Sequence, residues 1–197
     1  MAHDGLWEQL LGFDGVETAK RAQCQYLAEP GRYVITLLNT EYVVDLVEKK
    51  ILTEKKPAGF LEQLCVLAYL IGAVDIPVAD KLVKPQALPT GEFFFRGLHS
   101  IPIEKLEKAF GQCPQNLYKA IDHLQARRCE FGDGSIELYI LPRVSLTIVI
   151  WGADEEFAAR ASVLLDRTAG SQIALDALGT AINLAVKAVI TAAKSNS

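Results

Sequence analysis

The chain has 197 residues, half of them hydrophobic, so it is long enough to bury one core without disulfides or metals. Charged residues at 22%, aromatics at 8%, 14 Gly and 8 Pro sit near globular averages, which excludes the fibrous and disordered classes. A formal net charge of -4 gives no long-range attraction to a phosphate backbone, so no nucleic-acid partner is expected.

Met1-Ala2-His3-Asp4 lacks a basic segment leading into an apolar one, so no secretory signal is read and the cytoplasm is the expected compartment. Leu6 to Leu11 reads as a short helix. Asp14 with Glu17 three residues later is an N-cap signature and predicts a helix to about Leu27, stopped by Glu29-Pro30-Gly31. Tyr33, Ile35 and Leu37, then Tyr42, Val44 and Leu46, alternate across Asn39-Thr40 and predict a β-hairpin, with Ile51-Leu52 as a short third strand.

Ala58 to Ala73 is apolar nearly all round and predicts a buried central helix. Pro77, Pro85 and Pro89 make the segment from Asp75 to Thr90 an irregular connection. Phe93-Phe94-Phe95 reads as a short strand or core insertion, and Pro102 opens a helix over Ile103 to Phe110 that Gly111 stops. Pro114 repeats that signal for Asn116 to Ala126.

An antiparallel meander follows: Arg128 to Phe131, the turn Gly132-Asp133-Gly134, Ser135 to Leu141, the break Pro142-Arg143, and Ser145 to Trp151. Leu146, Ile148 and Ile150 face one way and Thr147, Val149 and Trp151 the other; both faces are largely apolar, which predicts a central strand covered on both sides. Val163 to Leu165 adds a further strand, and a last helix from about Gln172 to Ala192 crosses the sheet. Ala177 to Ala193 carries a single charge, Lys187, but Thr180, Asn183, Lys187 and Thr191 recur on one side against Leu178, Ile182, Ala185 and Val189. That pattern is an amphipathic core helix, so no membrane is expected. The fold class expected is α+β: a mixed or antiparallel sheet with an N-terminal hairpin and a C-terminal meander, packed by a buried central helix and a long C-terminal helix in one domain, residues 1–197.

Glycine-rich nucleotide loops, HExxH, GxSxG and EF-hand patterns are missing, which removes the main support for the common nucleotide, zinc-protease, serine-hydrolase and calcium chemistries. Cys24, Cys65, Cys113 and Cys129 form no CxxC pair and read as reduced, mostly buried thiols. Lys49-Lys50, Lys55-Lys56 and Arg127-Arg128 read as solvated turns or helix ends. Of His3, His99 and His123, only His99 lies in a loop-like setting; as a ligand it needs a second donor such as Cys113. No cofactor is assigned by motif.

The densest polar group is Asp154-Glu155-Glu156, just after the strand ending at Trp151, with Asp166 closing the next apolar run. Grouped carboxylates at a strand end hold a hard cation or share a proton, and the same triplet also suits a helix N-terminus ahead of Phe157 to Ala161. Arg143, in the preceding hairpin break, is placed to pair with them. Gly132-Asp133-Gly134 is a tight turn rather than a phosphate cradle.

The stretch from Ala126 to Asp166 contains Phe131-Gly132-Asp133-Gly134-Ser135, Leu141-Pro142-Arg143-Val144, Trp151-Gly152-Ala153-Asp154-Glu155-Glu156-Phe157 and Leu164-Leu165-Asp166. It resembles the family catalogued as domain of unknown function 3786, and the likeness extends upstream through Phe110-Gly111 and Leu88-Pro89-Thr90-Gly91 to Tyr69-Leu70 and Glu62-Gln63. The family's pattern continues the acidic block with two prolines where this chain has Ala158-Ala159, and its later Glu-Asp pair is replaced around Ala174-Leu175-Asp176. The resemblance implies a cytoplasmic protein of anaerobic bacteria or archaea, a family some of whose members carry an added iron–sulfur domain.

Two functions are expected from these residues. The first is a binding or accessory domain of anaerobic metabolism that takes a small molecule, a cofactor or a protein partner, linked through the resemblance to iron–sulfur or corrinoid proteins; its site is drawn from Arg143, Trp151, Asp154, Glu155, Glu156, Asp166 and His99. The alternative is a metal-assisted hydrolase in which Asp154, Glu155, Glu156 and Asp166 act as cation ligands or general base and Arg143 clamps an anion.

Overall fold

In the computed structural model, which describes residues 3–54, 56–96 and 100–195, Asp14 does what its spacing from Glu17 requires. Its backbone is extended and its carboxylate accepts the Glu17 amide at 2.9 Å, capping α2 (Gly15–Ala22) after α1 (Asp4–Leu11). The helix stops at Ala22, not at Leu27, with Gln23 left-handed at φ 49. Gln25–Leu27 instead forms β1 beside β2 (Arg32–Leu37), where the Tyr26 and Tyr33 rings meet at 5.0 Å. A sheet ladder and an aromatic pair outweigh a helix propensity worth only tenths of a kcal/mol per residue.

Leu38 and Asn39 turn β2 into β3 (Thr40–Asp45), both with positive φ, 50 and 60. Two left-handed central residues give the turn whose twist matches the flanking strands. β4 (Lys50–Thr53) and β5 (Lys56–Pro57) complete a first antiparallel sheet in the order β1-β2-β3-β4-β5. The central helix, α3 (Phe60–Gly72), buries Cys65 through Leu70 but leaves Phe60 and Leu61 exposed in its first turn, so it is less enclosed than its composition implies.

Residues 73–81 run without regular structure into β6 (Leu82–Val83). The Phe93 region is one helical turn, α4 (Gly91–Phe94), with Phe93 exposed and Phe95 buried, rather than a strand. α5 (Ile103–Phe110) follows as expected, whereas Pro114–Ala120 is a 3₁₀ helix and only Ile121–Leu124, α6, is α-helical.

β7 (Arg127–Arg128), β8 (Gly134–Leu141), β9 (Val144–Trp151) and β10 (Arg160–Asp166) form a second antiparallel sheet in the order β6-β10-β9-β8-β7. β9 is central, and every residue in it except Trp151 is buried. There are thus two sheets, joined where the Leu38 amide donates to the Ile140 carbonyl at 2.9 Å. After the short α7 (Ala169–Gln172), α8 (Leu175–Ser195) packs against α3, β8 and the 3₁₀ helix.

Among the described residues α8 is the one helix long and apolar enough to cross a membrane by length and composition. In the fold it buries Leu178, Ile182, Ala185 and Val189 and turns Asp176, Asn183, Lys187, Thr191 and Lys194 outward, while Ala174 lies before it and is exposed. One hydrophobic cluster runs from Trp7 to Ala193 and includes Ile136, Leu138, Leu146, Ile148 and Leu165 from the inner face of the second sheet.

Candidate functional site

Side chains alternate across a strand, so fixing one face fixes the other. With Leu138 paired to Leu146 and Ile136 to Ile148 on the inner face, the residues between them turn outward: Glu137 opposite Thr147, and Tyr139 opposite Ser145. These four are the floor of a cleft of about 270 Å³. Arg127, Cys129 and Phe131 from β7 and the chain after it form one side, and Val78, Asp80 and Leu82 form the other.

Val78 and Asp80 of that second wall belong to the irregular segment 73–81, which side chains from three elements hold in place, and Leu82 opens β6. The Val74 amide donates to Gln172 Oε1 at 3.1 Å. Arg143, in the β8–β9 turn, donates from Nε to the Arg21 carbonyl at 2.7 Å, from Nη1 to the Ile76 carbonyl at 3.1 Å, and from Nη2 to the Asp75 carboxylate. Its own amide donates to the Tyr69 hydroxyl, which donates in turn to the Ala22 carbonyl at 3.0 Å. Asp166, at the end of β10, accepts the amides of Ala79 at 3.1 Å and Lys81 at 3.3 Å. It also accepts the amide and hydroxyl of Thr168.

Burial opposes ionisation of Asp166, but the Thr168 hydroxyl and the three amides outweigh it and hold the carboxyl below its usual range. Asp166 therefore lends the cleft a negative charge while its own acceptor capacity is taken up. Glu137 pairs with Arg127; the Glu137 side chain is only 11% exposed and that of Arg127 is 77% exposed, so the guanidinium sits at the mouth. Burial, then the Glu137 charge, pushes the Cys129 thiol up, which keeps it protonated. Asp80, Glu137 and Asp166 together outnumber the one cation, Arg127.

Ser145 and Thr147 are 4% and 1% exposed as residues; no hydrogen bond within the chain engages either hydroxyl, and both line the cleft, whereas the sealed, unbonded side-chain oxygen among the described residues is Thr53 Oγ1. Ser135, a third buried hydroxyl on the same face, differs: its Oγ accepts the Phe131 amide at 2.9 Å.

The residues expected to share a site are separated. Arg143 precedes β9 and Asp154 follows it, so eight steps of strand, about 26 Å, lie between Arg143 and Trp151 alone. Asp166 and the acidic triplet likewise flank opposite ends of β10, about 20 Å of strand. Asp154, Glu155 and Glu156 are exposed in the β9–β10 loop and start no helix. The Asp154 carboxylate accepts the amides of Glu156 at 2.9 Å and Phe157 at 2.7 Å, the local turn a short acceptor side chain makes.

Trp151 ends β9 away from the cleft, 37% exposed, with the Arg160 guanidinium 5.9 Å from its ring. His99 lies outside the described residues. Cys113 is exposed and Cys24 and Cys129 are half-buried, so Cys65 alone is the buried thiol expected. Among the described residues no three His, Cys, Asp or Glu side chains converge as a metal site. Of the proposed residues that are described, Asp166 lines the cleft and Arg143 shapes it from a distance. Glu137, Tyr139, Ser145, Thr147, Arg127 and Cys129 were not singled out as site residues. The signal was polar residues at every second position of strands otherwise filled by Leu, Ile and Val.

The glycine-bearing blocks meet at the far end of the sheet. Asp133 accepts the Gly152 amide at 2.8 Å and donates its own amide to Ile150, and the Ala153 amide reaches the Gly111 carbonyl at 2.9 Å. Gly132 has φ +57, and a Cβ there would lie 2.7 Å from the Ile150 carbonyl oxygen. These blocks are a packing junction.

No curated protein and no solved structure matches the chain. A family model does, over residues 14–188, which takes in the Asp14 cap, the central helix, both walls of the cleft and the glycine junction; the chain belongs to the family described as "Domain of unknown function (DUF3786)".

Proposed function

We propose that the chain is a binding domain, an accessory module without a reaction of its own, that holds a small polar molecule in the cleft over the outer face of the second sheet. The observation that carries this is the pair of hydroxyls, Ser145 and Thr147, that line the cleft floor on the most buried strand and that no other group of the chain engages. Val149, two residues on, fills the same face with an apolar side chain. A bound molecule that hydrogen-bonds to Ser145 and Thr147 gives both hydroxyls a role.

Binding is favoured over catalysis by what surrounds those hydroxyls. Neither has a base bonded to it, Cys129 is held as the neutral thiol, and Asp166 is saturated by its own loop. A cleft of about 270 Å³ lies just below the roughly 300–1,000 Å³ of drug-sized pockets, so its occupant has the size of a small metabolite. A corrinoid exceeds it. The setting of anaerobic iron–sulfur or corrinoid metabolism rests on the family likeness, and in that setting a protein partner carries the cluster or corrinoid. The thiols of this chain do not converge, and burial pushes Cys24 and Cys65 up to about 12. Four free cysteines fit the reducing cytoplasm.

The test is a double substitution, Ser145→Ala with Thr147→Val. The ligand-free variant is expected to stay within about 1 kcal/mol of the parent, because the hydroxyls it removes bond to nothing else in the chain. A loss of more than about 2 kcal/mol in denaturant unfolding would make the hydroxyls part of the fold and remove the reason for a ligand.

A further inference from the structure

Deepening the reading of the cleft as a binding site, on which it rests, we infer that the ligand is a compact aliphatic ammonium compound and that Arg127 is the exchangeable counter-ion it displaces from Glu137. The charge balance comes first: Asp80, Glu137 and Asp166 line the cleft against one guanidinium. The exposure of that pair is lopsided. Glu137 lies on the cleft floor, on the outward face of β8, while Arg127 stands in solvent on a two-residue edge strand, so it swings aside without moving the core.

Acceptors come next. An ammonium group carries three N–H donors and no acceptor. On the cleft floor Glu137 faces Thr147, and Ser145 lies two residues along the same strand, so one carboxylate and two hydroxyl oxygens that no other group of the chain engages share the outward face. Asp166, already bonded by four donors, contributes charge but no further contact. Val78, Leu82 and Phe131 give the walls apolar surface for an aliphatic chain.

An anionic ligand clamped by Arg127 is the opposing arrangement, and the two differ in sign. Without Arg127 an ammonium ligand loses its competitor, whereas an anionic ligand loses its anchor. The full-length chain is titrated, with backbone amide shifts as the readout, against three four-carbon probes: 1,4-diaminobutane, 1,4-butanediol and succinate.

Diaminobutane is expected to move the amides of Glu137, Ser145 and Thr147 and to bind at least tenfold more tightly than the diol, with succinate inert. Arg127→Ala is expected to tighten diaminobutane severalfold and Glu137→Gln to weaken it at least tenfold; should that variant not fold, Thr147→Val is expected to weaken it in the same direction. Succinate or the diol binding the cleft as well as the diamine, or Arg127→Ala abolishing diamine binding, would overturn the ligand class and leave the cleft standing as a binding site. If no probe moves those amides, the class and the binding reading both fall.

Discussion

Glu137 and Thr147 stand directly opposite one another on the outward face of β8 and β9, a carboxylate 11% exposed beside a hydroxyl that lines the cleft and that no other group of the chain engages. The strand that anchors the hydrophobic core on its inner side thus presents unspent polar groups on its outer side. Apolar packing is concentrated on one face and uncommitted polar groups on the other.

Arg143 braces the cleft wall. Its guanidinium serves three acceptors in three directions from a side chain 11% exposed. Arg143→Ala is expected to cost about 2–3 kcal/mol in denaturant unfolding, and Arg143→Lys to recover little, because a point charge cannot replace a planar fork. Faster amide exchange over residues 74–81 in the variant checks that the loss falls on the wall.

Asp166 makes the same segment pH-sensitive. A carboxyl whose folded pKa is depressed contributes stability that is present above the unfolded value, roughly 3.9, and is lost as the pH falls through the folded value. Asp166→Asn is expected to be less stable than the parent at pH 7. Thermal unfolding midpoints measured at descending pH are expected to converge below about pH 4.

The acidic loop is expected to be nearly silent. Glu155→Ala and Glu156→Ala remove exposed carboxylates and are expected to change stability by less than about 0.5 kcal/mol. Asp154→Ala removes the acceptor of two amides and is expected to cost about 1 kcal/mol. Chemical denaturation of the three single variants separates a turn from a site.

Gly132→Ala tests the junction at the other end of the sheet. The substitution meets both a positive φ and the Ile150 carbonyl, so a loss above about 1–2 kcal/mol is expected in thermal unfolding.

Much of the fold was legible where one period dominates. The Asp14 cap, the hairpin around Asn39, the central position of β9 and the two-faced α8 each follow from local pattern. Residues 25–27 look helical until β2 is beside them, and Phe93 to Phe95 look like a strand until their turn of helix is set by Thr90 and Gly91. The site was harder to read for a related reason. Grouped charges in sequence drew notice to Asp154-Glu155-Glu156, which a loop spreads into solvent. Glu137, Ser145 and Thr147 are each isolated in sequence, and only the β8–β9 register brings them together. Asp166 and Arg143 are conspicuous because each is a charged residue at the end of an apolar run; the segment both of them hold depends on contacts between residues far apart in sequence.

The proposed function requires a small molecule in the cleft above Ser145 and Thr147. Native mass spectrometry of the chain, purified without oxygen, beside the Ser145→Ala, Thr147→Val double variant tests it most directly. A bound small mass on the parent that is missing from the folded variant is the predicted result; a parent that carries nothing, or a variant that carries the same mass, contradicts it.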